Sequence, residues 1–346
     1  MTVETPRSAT IRWPKARMTR ITDQYRIIEA GAGWIDRTAR GRLRFEGRDA
    51  RTFLQALVTN DVAGLGAGEG ADTAYLTPQG RMVAMLRLFC LGDDWLAEVA
   101  PGQAAALAAR FDLLVFTEDV RVADVSSAIA EVSVIGRDAA PALGRALGVE
   151  PSRLAALGTL GHTTTGDVMI ARTDDTPFPA FDLFVPAAAR EATVRTMAAA
   201  GITPIDAELA EALRIEAGRP AFGVDMTEET IPLEAGLLDR AISTTKGCYV
   251  GQEVIIRVLH RGSGRVARRL VRLTFDPGAS LPLAAGTPLA AGDRDTGRIT
   301  SAAVSPATGR VIALGYVHRD AANVGDVVRA RTPAGEWAAT IVGLAG

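Results

Sequence analysis

The chain has 346 residues, 48% of them hydrophobic and 23% charged, as in ordinary globular proteins, and this length corresponds to about two or three domains. The 38 Lys and Arg residues nearly balance the 40 Asp and Glu residues, which excludes a dedicated duplex-binding protein because such proteins need excess positive charge. The apolar stretches fall well short of the roughly 20 residues that cross a bilayer, so we expect neither a nucleic-acid nor a membrane partner.

The first half of the chain predicts an arginine-rich tail followed by short strands and one helix. The start lacks the apolar core of a secretory signal, so we expect a disordered tail over residues 1–20, with an organellar transit peptide as the alternative. Apolar spacing and turn residues then predict, in chain order, strands at 34–35 and 43–45, a helix at 53–58 capped by Asp49, and hairpin strands at 75–76 and 82–91 around a turn at 78–80.

The second half predicts helices that alternate with strands and then a region of strands alone. The elements are a helix at 103–114, strands at 120–125 and 131–135, and helices at 187–200 and 206–218. Beyond Gly264, short apolar runs recur between turns, a spacing that favours a small antiparallel barrel. The pattern predicts an α+β protein with a domain boundary near 262–264, between an α/β region at 21–262 and a barrel at 265–346.

Few residues are suited to bind metals or to form disulfides. The cysteines are Cys90 and Cys248, which cannot build a disulfide scaffold and fit a reducing compartment such as the cytoplasm. Neither lies in a C-x-x-C pair, and the three histidines show no zinc-ligand spacing. We expect no metal site, and Cys90, within an apolar strand, is expected in the core.

The most distinctive stretch is Lys246-Gly247-Cys248-Tyr249-Val250-Gly251-Gln252-Glu253. Flanking glycines permit tight turns, and an ammonium two residues away favours a thiolate, so a reactive Cys248 is chemically reasonable. The alternative is that Cys248 is a small buried residue. A Cys–His pair with His260 would require a contact that the sequence does not indicate.

Three further charged features bear on function: Arg214, Asp182 and a cluster of arginines. Arg214 follows Glu211 by three residues on a predicted helix, a spacing of exposed ion pairs. Asp182 lies in an apolar run, so it is either a buried carboxylate that needs a partner or an edge residue that needs none. The arginines between Arg257 and Arg272 form either a solvated face, which the lack of interleaved aromatic residues favours, or a surface for RNA or an acidic partner.

The 246–253 segment resembles the signature of the YgfZ family, which is related to the glycine-cleavage T-protein. Further blocks resemble the family in the same order: Thr59-Asn60-Asp61-Val62, Leu76-Thr77-Pro78-Gln79-Gly80-Arg81, Leu213-Arg214-Ile215-Glu216-Ala217-Gly218 and Ile231-Pro232-Leu233-Glu234-Ala235-Gly236-Leu237. The resemblance covers the chain from about Trp34 to its end. It implies a three-lobed ring of two interleaved α/β lobes and a C-terminal barrel, with tetrahydrofolate or a one-carbon derivative at the centre.

The resemblance also implies roles for particular residues. Arg214 and Asp182 match the family's folate ligands, although Asp182 stands where the transferases have Glu. Cys248 would be the functional thiol, Lys246 would tune it, and Gln252 and Glu253 would anchor the loop formed with Gly247, Tyr249 and Gly251. The implied function is a cytoplasmic folate-binding accessory protein that serves iron–sulfur proteins or their assembly machinery.

One departure from the transferase pattern bears on activity. Aminomethyltransferases of the T-protein type carry an acidic pair shortly after the hairpin glycine, and the corresponding positions here are Ala84 and Met85. Neither side chain can transfer a proton, so ordinary T-protein catalysis is not expected. The alternatives are a folate-dependent aminomethyltransferase or demethylase that uses another acid, and a non-catalytic interaction module.

Overall fold

A computed structural model describes residues 15–260, 264–279 and 283–346. In these ranges the α-helices are α1 (Lys15–Ala30), α2 (Ala50–Leu57), α3 (Ala104–Asp112), α4 (Ala139–Leu147), α5 (Pro151–Ala155), α6 (Arg190–Ala199), α7 (Ala207–Ala217), α8 (Leu238–Ala241) and α9 (Gln252–His260).

The strands of the same ranges are β1 (Gly33–Asp36), β2 (Gly41–Glu46), β3 (Gly70–Leu76), β4 (Met82–Cys90), β5 (Trp95–Val99), β6 (Arg121–Asp124), β7 (Ile129–Ile135), β8 (His162–Thr165), β9 (Val168–Thr173), β10 (Ala180–Pro186), β11 (Thr203–Pro204), β12 (Arg268–Phe275), β13 (Pro288–Ala291), β14 (Arg294–Val304), β15 (Val311–His318), β16 (Val327–Thr332) and β17 (Gly335–Leu344).

The first lobe is an antiparallel sheet with the order β3-β4-β5-β2-β6. Its core is formed by apolar side chains of the sheet and of α2 and α3, with Phe45, Phe53, Trp95 and Phe111 among them. The strands are mostly apolar because one face packs on these helices. The few charged residues within them therefore lie on the other face.

The second lobe is a sheet with the order β11-β1-β7-β10-β9-β8. Its first strand, β1, precedes the whole first lobe in the chain, and its other strands follow that lobe. The two α/β lobes are therefore interleaved, as predicted. A separate core of Val132, Val134, Phe181 and Leu183 with residues of α4 and α6 holds the second sheet.

The third lobe is a closed antiparallel barrel with the strand order β12-β15-β14-β13-β16-β17. Closure pairs the edge strands with each other, so the barrel presents no unpaired edge to another chain. Its interior holds Phe275, Leu289, Val311 and Ile341. The predicted α+β class with a C-terminal antiparallel barrel is confirmed.

Most local predictions agree with the structure. The predicted hairpin is the β3–β4 pair. Asp49 occupies the N-cap of α2, but its side chain makes no capping hydrogen bond. It accepts a hydrogen bond from the backbone N–H of Asp119 instead. Local patterns did not predict β5, β8, β9, α4, α5 and α8. In the described residues, no helix is long and apolar enough to cross a membrane.

Two predictions fall partly on residues that the structure does not describe. Of the predicted tail, residues 1–14 lie outside the described residues, whereas residues 15–20 form the first part of α1. The predicted boundary near 262–264 falls largely on residues 261–263, which are also outside the description. The barrel strands begin four residues after Gly264, at Arg268.

Candidate functional site

A row of opposite charges crosses the sheet of the first lobe. In the strand register, Asp72 of β3 faces Arg87 of β4, Arg87 faces Glu98 of β5, and Glu98 faces Arg42 of β2. Directly opposed residues of an antiparallel sheet project from the same face. The sheet therefore presents an alternating acidic and basic row away from its apolar core.

A second polar row from the other lobe meets the first. On β10, Asp182 faces Ser133 of β7, and Glu131 lies two residues earlier on β7, on the same face. Arg40 joins the rows, because its Nη1 lies 2.9 Å from Glu98 Oε1 and 2.8 Å from Glu131 Oε1. The junction of the two α/β lobes is thus a buried network of ion pairs.

A cavity of about 150 Å³ lies against this network, and we call it the central cavity. Part of its lining, which we call the apolar wall, includes Met85, Pro101, Phe222 and Leu237. The charged part, which we call the charged wall, consists of Arg40, Asp72, Arg87, Glu98, Asp175, Arg214, Arg219 and Arg240. A ligand with both an apolar surface and polar groups matches such a lining.

A second cavity, of about 480 Å³, shares Asp72, Arg219 and Arg240 with the central cavity. Arg240 Nε lies 2.6 Å from Asp72 Oδ2, and Arg240 Nη1 lies 2.9 Å from Asp174 Oδ1. Arg219 Nη2 donates to Asp174 Oδ2 at 2.5 Å. The residues common to both cavities are therefore held by ion pairs.

The network shifts the pKa values of its carboxyl groups in opposite directions. Burial raises the pKa of Glu98 and raises that of Glu131 well above its usual range, although Arg40 opposes both shifts. Burial also acts on Asp175, but the Arg87 guanidinium outweighs it and holds the pKa of Asp175 well below its usual range. Glu98 and Glu131 are thus expected to take up protons at a higher pH than ordinary carboxyl groups, and Asp175 at a lower pH.

The acidic groups of the network are neutralised by arginine. Oxygen atoms of Glu98, Glu131 and Asp182 lie within 4.8 Å of one another. Arg40 contacts all three carboxylates, so guanidinium charge already occupies the space between them. This arrangement offers a metal cation little gain over the existing ion pairs.

The predicted folate ligand Arg214 lines the central cavity. Its predicted ion pair with Glu211 is present, with Nε to Oε2 at 2.8 Å and Nη2 to Oε1 at 2.6 Å. The arginine is not exposed, however, because Nη1 also donates to Asp225 Oδ2 at 2.7 Å and to the carbonyl of Arg219. These partners fix the orientation of the guanidinium at the cavity wall.

The other predicted ligand, Asp182, is a buried carboxylate and not an edge residue. It is 2% exposed and lies on β10, between β7 and β9. Oδ1 accepts a hydrogen bond from the hydroxyl of Ser133. Oδ2 lies 3.5 Å from Nη1 of Arg40 and 3.4 Å from Nη1 of Arg87. Asp182 is not among the residues that line the central cavity, so its partners come from the protein.

The thiol of Cys248 is exposed, so the interpretation of Cys248 as a small buried residue is wrong. Cys90 lies in the core as predicted. The described residues provide no hydrogen bond between Cys248 and His260, which ends α9 on an exposed position. The structure thus supplies no Cys–His pair at this thiol.

The ammonium of Lys246 holds the loop against the C-terminal end of α2. Nζ donates to the carbonyls of Gln55, Val58 and Asn60 at 2.7, 2.7 and 2.9 Å. These carbonyls lie at and just beyond the C-terminus of α2, where a positive charge is favourable. All three N–H donors are used in this way, and burial lowers the pKa of Lys246 to about 8. Lys246 therefore ties the loop to the first lobe.

The rest of the loop is fixed by Tyr249 and Gly251. Tyr249 is buried in an apolar cluster that contains Leu76, Met82 and Leu237. Gly251 has a φ of +81°, and a Cβ there would lie 2.5 Å from the carbonyl oxygen of Thr77 in the β3–β4 turn. The loop thus packs closely on the hairpin of the first lobe.

Of the two residues predicted to anchor the loop, Gln252 donates its backbone N–H to the carbonyl of Tyr249 at 3.2 Å. Gln252 and Glu253 begin α9, and Glu253 Oε1 pairs with Arg257 Nη2 at 2.6 Å on an exposed face. Gly247 is open, since no described atom lies within 4 Å of a Cβ built on it. Lys246, Tyr249 and Gly251 do the anchoring, and Cys248 is held outward between them.

The arginine cluster is divided among internal contacts. Arg268 Nε lies 3.0 Å from Glu234 Oε2, and its guanidinium stacks over Tyr316. Arg272 donates to the carbonyl of Glu216 at 3.4 Å. The segment therefore does not form a single free cationic face in the residues that the structure describes.

Most residues of the ion-pair network were not predicted from the sequence. Arg87, Glu98 and Glu131 each interrupt an apolar strand, which is the signal that drew attention to Asp182. Applied throughout, this signal would have identified these three residues as buried and paired. Arg40 and Asp175 lie in connections, and no local pattern distinguishes them.

Ala84 and Met85, which stand where the transferases have an acidic pair, have no ionisable side chain. Ala84 is fully buried on β4, and Met85 contributes to the apolar wall of the central cavity. The ionisable groups at the cavity come instead from other positions of β3, β4 and β5, from α7 and α8, and from connections.

The sequence matches two family models. The GCVT N-terminal domain covers residues 7–246, and the glycine cleavage T-protein C-terminal barrel domain covers residues 268–345. An aminomethyltransferase of Rubrobacter xylanophilus is 29% identical over 304 residues, which are 86% of this chain and 79% of the relative. An aminomethyltransferase of Thermosynechococcus vestitus is 29% identical over 310 residues, 88% of this chain and 82% of the relative.

A solved structure has the same fold. The crystal structure of glycine cleavage system aminomethyltransferase T from Bartonella henselae matches with a TM-score of 0.84 at 22% identity, over 93% of this chain and 88% of that chain. The similarity includes all three lobes.

Proposed function

Because this chain belongs to the glycine cleavage T-protein family, we propose that it binds tetrahydrofolate, or a one-carbon derivative, in the central cavity. We further propose that it is a cytoplasmic accessory protein of the YgfZ type for the assembly or repair of iron–sulfur proteins. The observation that carries this proposal is the exposed Cys248 on a loop fixed by Lys246, Tyr249 and Gly251.

The chemistry of the central cavity supports a folate ligand. Its apolar wall suits the flat face of a pterin, and its guanidinium groups suit the carboxylates of the glutamate tail. The charged wall also contains a buried carboxylate oxygen, Glu98 Oε2, that has no hydrogen-bond partner among the described residues. Buried polar atoms normally have a partner, so a ligand with N–H donors fits this wall.

Two observations support an accessory role over aminomethyl transfer. Ala84 and Met85 supply no acid at the positions where the transferases have one, and the protein instead displays a thiol on a rigid support. The iron–sulfur part of the proposal rests on the resemblance of the 246–253 segment to the YgfZ family. With two cysteines, one of them buried, the chain cannot provide the usual four thiolates, so any cluster would be shared with a client protein.

A complementation experiment tests the role of the thiol. Cys248→Ser and Cys90→Ala are each expressed in a strain that lacks the endogenous gene, and the activities of several iron–sulfur enzymes are measured. We expect Cys248→Ser to fail and Cys90→Ala, which alters the buried cysteine, to restore activity. Full restoration by a folded Cys248→Ser protein would refute the accessory role proposed for the loop.

A folate-dependent aminomethyltransferase is the second candidate. The names of the curated relatives favour it, and Glu98 provides a cavity acid whose pKa is raised by burial. The assay incubates the protein with tetrahydrofolate and an aminomethyl donor and measures methylenetetrahydrofolate. Steady turnover that Glu98→Gln abolishes would establish this activity, and its absence would leave the accessory role.

A further inference from the structure

Asp225 is a buried carboxylate that joins the barrel to the lining of the central cavity. It is 2% exposed, and its Oδ1 lies 2.5 Å from Thr300 Oγ1 and 2.7 Å from Ser301 Oγ, both on β14. Its Oδ2 accepts hydrogen bonds from Arg214 Nη1 at 2.7 Å and from the backbone N–H of Ala221 at 3.0 Å. Both oxygens are thus used by the protein, so Asp225 can act on a ligand only through its neighbours.

A β-bulge in β14 brings the two hydroxyls to this carboxylate. Successive side chains of a regular strand point to opposite faces, so Thr300 and Ser301 would not be expected to reach the same oxygen. The register of β14 with β15 shifts between Ile299 and Ser301, which leaves Thr300 as the extra residue. Bulges redirect side chains and are frequent beside functional sites. The barrel therefore departs from regular pairing at the point where it contacts Asp225.

The partners of Asp225 form a continuous part of the cavity lining. Arg214 and residues 219–222 all line the central cavity. Arg214 donates to the carbonyl of Arg219 as well as to Asp225, and the backbone N–H of Asp225 donates to the carbonyl of Ala221 at 2.8 Å. The segment between α7 and Asp225 is thus closed around this one carboxylate.

Asp225 holds Arg214 more firmly than Glu211 does. The side chain of Glu211 is 44% exposed and that of Asp225 is 0% exposed. Exposed ion pairs contribute little because water screens them, whereas charged hydrogen bonds are stronger where water is excluded. Together with the carbonyl of Arg219, the two acids engage four of the five N–H donors of Arg214. The donor that remains is on Nη2, and its position is set by the orientation of the guanidinium.

We propose that Asp225 is a positioning residue for the central cavity, which acts by orienting Arg214 toward the ligand. The barrel then contributes to ligand affinity through Thr300 and Ser301, although neither residue lines the cavity. This inference rests on the proposed binding of tetrahydrofolate in the central cavity.

Anaerobic calorimetric titration of the full chain with tetrahydrofolate tests the contribution of the barrel. The double variant Thr300→Val/Ser301→Ala removes both hydroxyls at little cost in shape. We expect it to weaken binding about tenfold, as the displacement of a charged hydrogen bond would. The matched control is Arg268→Met, which breaks another barrel contact, the ion pair with Glu234. It should change affinity less than about twofold, because neither partner contacts Arg214 or lines the cavity.

A double-mutant cycle distinguishes positioning of Arg214 from general stabilisation. Asp225→Asn keeps an oxygen that can accept the N–H of Ala221 but removes the charge that holds Arg214. Alone, it should weaken binding about tenfold. Added to Arg214→Met, it should weaken binding less than about twofold further, because its partner is already gone. The double variant buries no unpaired charge, and thermal unfolding checks that each variant is folded.

The outcomes separate this inference from the proposed function. If Asp225→Asn weakens binding equally with and without Arg214, the positioning role is overturned and folate binding stands. Unchanged affinity in a folded Thr300→Val/Ser301→Ala protein overturns the contribution of the barrel. No binding by the unaltered protein overturns the proposed folate site itself. If Asp225→Asn does not fold, the comparison of the hydroxyl variant with Arg268→Met decides, and equal affinities overturn the inference.

Discussion

Replacing Gly251 by alanine should detach the cysteine loop from the first lobe. Gly251 has a φ of +81°, and an L-residue in this left-handed region costs roughly 1–2 kcal/mol. The new Cβ would also lie 2.5 Å from the backbone oxygen of Thr77, and relieving such an overlap typically costs about 1–3 kcal/mol. The free energy of unfolding should therefore fall by roughly 2–5 kcal/mol.

Gly247→Ala is the matched control on the other side of Cys248. No described atom lies within 4 Å of a Cβ at Gly247, and its φ is not in the left-handed region. Both substitutions reduce the entropy of the unfolded chain by a similar amount, so this contribution cancels in the comparison. We expect Gly247→Ala to change stability by less than about 0.5 kcal/mol.

Urea-induced unfolding of both variants measures the difference. Reaction with Ellman's reagent shows whether the native fold is retained, because one fast thiol, Cys248, is expected when Cys90 is buried. If Gly251→Ala is as stable as Gly247→Ala, the close packing of the loop on the hairpin is not what holds Cys248 outward, and the reasoning fails.

Three further substitutions probe the loop and the ion-pair network. Lys246→Met should cost about 2–3 kcal/mol in urea unfolding, because a buried carbonyl without a donor costs about 1–3 kcal/mol and a cation at a helix C-terminus contributes about 0.3–1 kcal/mol. Burial raises the pKa of Tyr249 to about 12, so stability should fall as the pH rises above 10, and Tyr249→Phe should reduce this fall in thermal unfolding. Arg40→Met should cost about 3–5 kcal/mol, because it leaves buried Glu98 and Glu131 without their shared donor. We expect this loss, measured by urea unfolding, to be smaller at pH 5 than at pH 8. More of these carboxyl groups are protonated at pH 5, so less unpaired negative charge is left buried.

Thr244→Ala, at an exposed neighbouring position, should leave the free energy of unfolding unchanged. If Lys246→Met also left it unchanged, the role of Lys246 at the C-terminal end of α2 would be contradicted. Part of the alkaline fall should remain in Tyr249→Phe, because burial also raises the pKa of Tyr316 to about 12. A cost of Arg40→Met that is the same at both pH values would show that Glu98 and Glu131 do not take up protons there.

Local patterns were sufficient for several elements in each α/β lobe and for the barrel. The hairpin of β3 and β4, the helix that starts after Asp49 and the closed barrel after Gly264 all follow from apolar periodicity and turn residues. These features depend on residues that are close in the chain. The folate and thiol candidates came from a resemblance of short motifs, and the structure places Cys248 at an exposed position.

The sequence by itself therefore determined many of the elements, among them the β3–β4 hairpin and the helix after Asp49, and that the last strands form a barrel. The tertiary structure alone decided that Arg87 and Glu98 stand opposite each other, that Asp182 is occupied by protein partners, and that Lys246 caps a helix almost 190 residues away. The physical reason is register: a shift of one residue between strands moves every side chain to the other face. Which buried charges meet is thus set by long-range pairing, and no local pattern encodes it.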